Sequence, residues 1–197
     1  MKIGILALQG NYQAHAKRLS ELGVNWQWVR HPQDLVAIEG LILPGGESGV
    51  CLNLFQKNGL FSALQAFQKP ILGTCAGAIL LAKTVQSSIP QLSLAHIAIT
   101  ITRNAYGRQL ASHIVTGTWA TNSVLHPLEM VFIRAPIIQT LDDLDVQILA
   151  TDTKGHVVAV QHNQYIATCF HPELSTDPIV HQYFITLLSK SALLSHA

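Results

Sequence analysis

The chain has 197 residues, formal net charge +1 and nearly half apolar residues, so it is long enough for one domain with a large core, and disorder is excluded. No Lys/Arg run marks a nucleic-acid or anionic-membrane footprint, and no apolar run reaches the roughly 18 residues a transmembrane helix needs. Three cysteines, Cys51, Cys75 and Cys169, form no C-x-x-C pair, and the ten histidines show no H-x-x-x-H spacing. A disulfide framework and a metal site are therefore not expected, and a reduced, cytoplasmic setting is. Low charge with positive mean hydropathy hints at an apolar surface covered by a partner, although a large core gives the same signal.

In chain order, Ile3 to Leu8 reads as a buried strand and Gln9-Gly10-Asn11 as a loop. Tyr12 to Leu22 has helical spacing, closed by Gly23. Val24 to Val29 and Gly40 to Leu43 are further strands, the latter stopped by Pro44-Gly45-Gly46. Helical stretches follow at Gly49 to Lys57 and Leu60 to Gln68, and Pro70 to Leu72 is the next strand. Ala78 to Lys83 is expected to be helical. This alternation predicts an α/β fold: a mostly parallel, doubly wound sheet with helices on both faces. Ligands in such sheets sit at the carboxyl ends of strands. Gln9-Gly10, Pro44 to Ser48 and the turn at 73–77 all lie at such ends.

The second half reads as more antiparallel, within one domain spanning 1–197. Ile97 to Thr102, Leu110 to Gly117, Val131 to Arg134, Val146 to Ala150, His156 to Gln161 and Tyr165 to Phe170 are short strands, with a tight turn at Asn163-Gln164. Thr176 to about Leu194 is a C-terminal helix. The stretch from about Trp119 to Glu129 has no assignment.

Chemistry concentrates at Gly73-Thr74-Cys75-Ala76-Gly77. A strand, a glycine-bounded turn carrying a nucleophile, then a helix is the nucleophile-elbow pattern, with cysteine in place of serine. A buried cysteine in a tight βα turn fits the same five residues. A nucleophile needs a base and an orienting group. His171 follows an apolar strand, and Glu173 lies two residues on, able to share its side. A surface His-Pro turn with a solvated glutamate is the plainer alternative. The amides of Ala76 and Gly46 are candidate oxyanion donors, though Pro44-Gly45-Gly46 can be only a turn. Glu47 suits a substrate ammonium. Arg103 and Arg134 suit a carboxylate or a structural ion pair.

Together these motifs resemble a class I glutamine amidotransferase, and more closely the glutaminase subunits of pyridoxal 5′-phosphate synthase, the PdxT/SNO family. The carrying segments are I-G-I-L-A-L-Q-G (3–10), G-L-I-L-P-G-G-E-S (40–48), G-T-C-A-G (73–77), R-N-A-Y-G-R-Q (103–109), F-I-R-A-P (132–136) and F-H-P-E-L (170–174). The resemblance implies a flavodoxin-like domain that hydrolyses L-glutamine without metal or cofactor. Cys75, His171 and Glu173 would be catalytic. Gly46, Glu47, Ser48, Arg103, Ile133 and Arg134 would contact glutamine, with Gly46 and Ala76 forming the oxyanion hole. Ammonia would pass to a separate (β/α)₈ synthase subunit in a large hetero-oligomer. The chain departs from the family pattern at Gly49-Val50-Cys51 and at Ala78, both flanking the site.

Overall fold

The computed structural model describes residues 1–103, 112–121, 124–141 and 143–194. The first half alternates as its sequence pattern predicts: β1 (Lys2–Leu6), α1 (Tyr12–Glu21), β2 (Asn25–Val29), β3 (Gly40–Leu43), α2 (Ser48–Lys57), α3 (Leu60–Gln65), β4 (Ile71–Thr74) and α4 (Ala76–Leu81). β1 pairs in parallel with both β2 and β3, and β3 with β4. All four residues of β3 and all four of β4 are buried, as expected of parallel strands covered on both faces.

The described second half supplies β5 (Ala82–Gln86), β6 (Ile97–Thr102), β7 (Ser112–Thr121), β8 (Val124–Ile133), β9 (Ile137–Leu141), β10 (Gln147–Thr151), β11 (Val157–His162), β12 (Tyr165–Thr168) and α5 (Ile179–Leu194). The larger sheet runs β2-β1-β3-β4-β12-β11-β10-β7-β8, and β5-β6-β9 form a smaller one. β12 lies parallel to β4, while β11, β10, β7 and β8 join antiparallel. The late strand β12 thus reaches the centre of the sheet, beside the strand that carries Cys75. Val180, Phe184 and Leu188 of α5 are buried at four-residue spacing. A Cβ on Gly40 would lie 2.4 Å from Leu188, so α5 covers β3 closely.

Two expectations are corrected, and an unassigned stretch is placed. The helix expected at 78–83 begins at Ala76 and ends at Leu81; Ala82 and Lys83 open β5. Ala82 is already extended (φ −62°, ψ 146°), and β5 pairs in parallel with β6. Pairing there overrides the helix preference of Ala-Lys, and β-branched Thr84-Val85 continue the strand. The unassigned 119–129 stretch lies in a long hairpin, with β7 and β8 paired from Ser112↔Ile133 to Thr121↔Val124. Pro127 obscures the strand pattern there, but β8 is the last strand of its sheet, where a missing N–H is tolerated. The C-terminal helix starts at Ile179, not Thr176; the Asp177 side chain accepts from its N–H at 2.9 Å. The turn at Asn163-Gln164 is present, with Asn163 at φ 54°.

Candidate active site

The carboxyl ends of β1, β3, β4 and β12 form one rim, and the predicted chemical residues meet there. Cys75 follows β4 with φ 49° and ψ −102°, a strained conformation for any side-chain-bearing residue. Its N–H donates to the Thr168 carbonyl at 2.8 Å, locking the turn to the end of β12. A Cβ on Gly77 would lie 2.1 Å from the Leu43 carbonyl oxygen, so the elbow closes against β3 only with glycine there. Cys75 Sγ points toward the Ile133 carbonyl, 3.8 Å away.

His171 is fixed from two sides. Its N–H donates to the Val131 carbonyl at 2.8 Å, and its Nδ1 bonds to Glu173 Oε1 at 2.8 Å. The 3-10 turn Pro172–Leu174 folds the carboxylate back beneath the ring. Both side chains are buried. Nε2 makes no hydrogen bond of ordinary geometry among the described residues. Burial pulls the His171 pKa down, but Cys75 and Glu173 outweigh it and raise it to about 10. Glu173 is held below its ordinary value: burial opposes this, and His15 and His171 overcome it.

A cleft of about 300 Å³ opens over the thiol, lined by Gly46, Glu47, Ser48, Cys75, Ile79, Arg103, Ile133, Arg134 and His171. Arg134 Nη1 lies 3.6 Å from Glu47 Oε1 across its mouth, both side chains exposed. Glu173 sits behind His171 rather than in the cleft. Buried Ala76 begins α4, where its N–H has no partner within the helix. Of the 103–109 segment only Arg103 lies within the described residues. A cysteine, a coupled imidazole and an anionic orienting group beside a cleft lined by both charges suit acyl transfer from a small zwitterionic carboxamide.

Sequence reasoning missed one residue of the site. Gln91 Oε1 accepts from Ser48 Oγ at 2.9 Å and from Arg103 Nη1 at 2.6 Å, joining two cleft residues. It sits between β5 and β6 in a stretch with no periodic signal. Gln9 Oε1 accepts from the Glu47 N–H at 2.8 Å and from Cys51 Sγ at 3.5 Å. Cys51, one of the departures from the family pattern, therefore helps hold the two rim loops together. Asn11 N–H donates to the Gly45 carbonyl at 3.3 Å, a second tie between those loops. Among the described residues no group of three His, Cys, Asp or Glu is placed to hold a metal ion.

The model of the SNO glutamine amidotransferase family matches residues 5–190. The chain belongs to that family. It is 44% identical over 193 residues to the pyridoxal 5′-phosphate synthase subunit PdxT of Methanocorpusculum labreanum, covering 96% of this chain and 98% of the relative. It is 44% identical over 190 residues to the subunit of the same name from Koribacter versatilis, covering 95% and 96%. The crystal structure of a glutamine amidotransferase superposes with TM-score 0.87 at 34% identity, covering 95% of this chain and 98% of that one. The fold is the flavodoxin-like α/β arrangement of class I glutamine amidotransferases, as the sequence resemblance implied.

Proposed function

We propose that this chain hydrolyses L-glutamine to L-glutamate and ammonia, as the glutaminase subunit of a pyridoxal 5′-phosphate synthase, and delivers the ammonia to a (β/α)₈ synthase subunit in a large hetero-oligomer. The reading treats 1–197 as one cytoplasmic catalytic domain. The observation that carries it is the convergence of Cys75, His171 and Glu173 beneath a cleft lined by Glu47 and Arg134. The relatives named PdxT support the pathway, and the three unpaired cysteines suit a reducing compartment.

Glutamine enters with its α-ammonium toward Glu47 and its α-carboxylate toward Arg103 and Arg134, with Ser48 and the backbone of Ile133 along its stem. Cys75 Sγ attacks the side-chain carbonyl carbon, and the oxygen takes up negative charge against the N–H groups of Gly46 and Ala76. His171, protonated and held by Glu173, gives its proton to the leaving nitrogen. The C–N bond breaks, ammonia departs and a γ-glutamyl thioester remains. His171 then takes a proton from water, hydroxide adds to the thioester, and the C–S bond breaks to release glutamate.

The test is glutamate release from glutamine by the protein mixed with the synthase subunit of its own organism. Turnover is expected to need both the partner and Cys75. Robust hydrolysis by Cys75→Ala, or none from the wild-type complex, overturns the reading.

A further inference from the structure

Behind the catalytic carboxylate lies a second pair of histidines. His15 on α1 and His181 on α5 are both fully buried, which is unusual for this residue type. His15 Nε2 lies 3.4 Å from Glu173 Oε2 and 3.3 Å from Thr74 Oγ1. His15 Nδ1 lies 3.0 Å from His181 Nε2. One side chain therefore touches the free oxygen of the catalytic acid, the residue preceding the nucleophile, and the C-terminal helix.

The proton pattern follows from donor chemistry. A carboxylate only accepts and the Thr74 hydroxyl can do either, so the tautomer with hydrogen on His15 Nε2 is the one that suits both neighbours. Neutral His15 then accepts at Nδ1, and His181 Nε2–H donates to it. His181 Nδ1 is left as a bare lone pair, and among the described residues it has no partner. Burying an unpaired acceptor is easier than burying an unpaired N–H. The charged groups acting on the pair are Glu173 and His171 beyond β12, and Arg18 on α1. Burial, first among the causes, lowers the pKa of both rings, which favours their neutral forms.

We infer that His15, oriented by His181, is a positioning residue for the cysteine chemistry: it holds the second oxygen of Glu173 so that the first stays aimed at His171. Glu173 Oε2 is buried and makes no hydrogen bond of ordinary geometry among the described residues, so the 3.4 Å contact with His15 Nε2 is the polar contact that faces it, and a leucine at 15 removes that contact. The carboxylate is then harder to keep ionised and free to rotate away from His171. This rests on the glutaminase reading for its substrate but not for its thiol chemistry.

The experiment compares wild type, His15→Leu, His15→Gln and His181→Leu. Glutamate release is followed against pH in the complex with the synthase subunit, and alkylation of Cys75 by iodoacetamide against pH in the chain itself. His15→Leu is expected to lower kcat about 10- to 100-fold while KM stays within about threefold, as for a misplaced catalytic group. Its acid limb should move up by about one pH unit, as expected when a carboxylate loses a donor. The alkylation profile should shift in the same direction. His15→Gln, whose amide can donate to Glu173 and accept from His181, should recover most of the rate. If His15→Leu fails to fold, His181→Leu must show a smaller loss with the same shift. Wild-type pH profiles in the leucine variants, or His15→Gln no better than His15→Leu, overturn the inference. A wild-type complex that alkylates but releases no glutamate overturns the substrate reading instead, and the alkylation profiles still decide the role of His15.

Discussion

The N–H of Cys75 donates to the carbonyl of Thr168 at 2.8 Å, although 93 residues separate them in the chain. β4 and β12 run parallel in register up to Thr74↔Thr168. The residues just past their ends, Cys75 and the Cys169-to-His171 segment, therefore emerge side by side. The proposed nucleophile and base are brought together by strand pairing rather than by loop flexibility. Rigid elements of this kind hold catalytic groups to within a fraction of an ångström.

Gly45 is the tightest point of that arrangement. A Cβ there would lie 2.3 Å from His171 Cε1, 2.9 Å from Nδ1 and 3.3 Å from the Cβ of Cys75. His171 cannot retreat without breaking its 2.8 Å bond to Glu173. Gly45→Ala should lower kcat by about 100-fold, the penalty of displacing a catalytic group by about an ångström. Steady-state kinetics with glutamine check this, and a variant within threefold of wild type removes Gly45 from the account.

Gln91 makes a different claim. Its Oε1 accepts from both Ser48 and Arg103, while its Nε2 is buried with no hydrogen-bond partner among the described residues. Gln91→Ala frees both donors and should raise KM for glutamine about tenfold, the loss of one charge-assisted hydrogen bond's worth of positioning. Gln91→Glu keeps the acceptor and should retain more affinity than Gln91→Ala. Equal KM values for wild type and Gln91→Ala would sink the role.

These two residues mark the limits of what the sequence discloses. Gly45 stood inside a glycine-rich stretch after a strand, which reads equally as a plain turn or as a loop that presents backbone N–H groups. Cys75, His171 and Glu173 stood at strand ends too, but each had a plainer local reading, and only their combination along the chain pointed to thiol chemistry. Gln91 could not be seen, because a long-range hydrogen bond leaves no local pattern. His15 carried a faint signal: it precedes Ala16 and Leu19 on the inward face of α1, where a histidine is out of place. In the fold, the early βα alternation was legible from its continuous apolar strands. The β5 start and the 119–129 part of the β7–β8 hairpin were not, because sheet pairing overrode helix preference at Ala82 and Pro127 broke the strand pattern at a sheet edge.

Glu47 and Arg134 face each other at 3.6 Å with both side chains more than half exposed, 55% and 66%. Such a pair contributes about 0–1 kcal/mol to folding. In the proposed function its role is to present opposite charges to the two ends of glutamine. Glu47→Ala and Arg134→Ala should each raise KM about tenfold or more, the value of one charged hydrogen bond, with little change in melting temperature. Unaltered kinetic constants in both variants, read beside thermal unfolding curves, would exclude them from binding.

His171 also links the site to stability. Its pKa is raised in the folded protein to about 10, against about 6.5 in the unfolded chain. The folded state thus holds a proton that the unfolded state releases first. The stabilisation is complete below about pH 6.5 and fades as pH rises through 10, by at most about 1.4 kcal/mol per pH unit. Urea unfolding of wild type and His171→Gln from pH 6 to 10 isolates this effect, since other titrating groups are common to both. The stability difference should shrink steadily toward pH 10. Cys75→Ala should flatten part of the slope, because Cys75 and Glu173 together hold the proton on the ring. A difference that stays constant across the range would mean that His171 titrates alike in the folded and unfolded protein, and the coupled pair at the head of the mechanism would have to be abandoned.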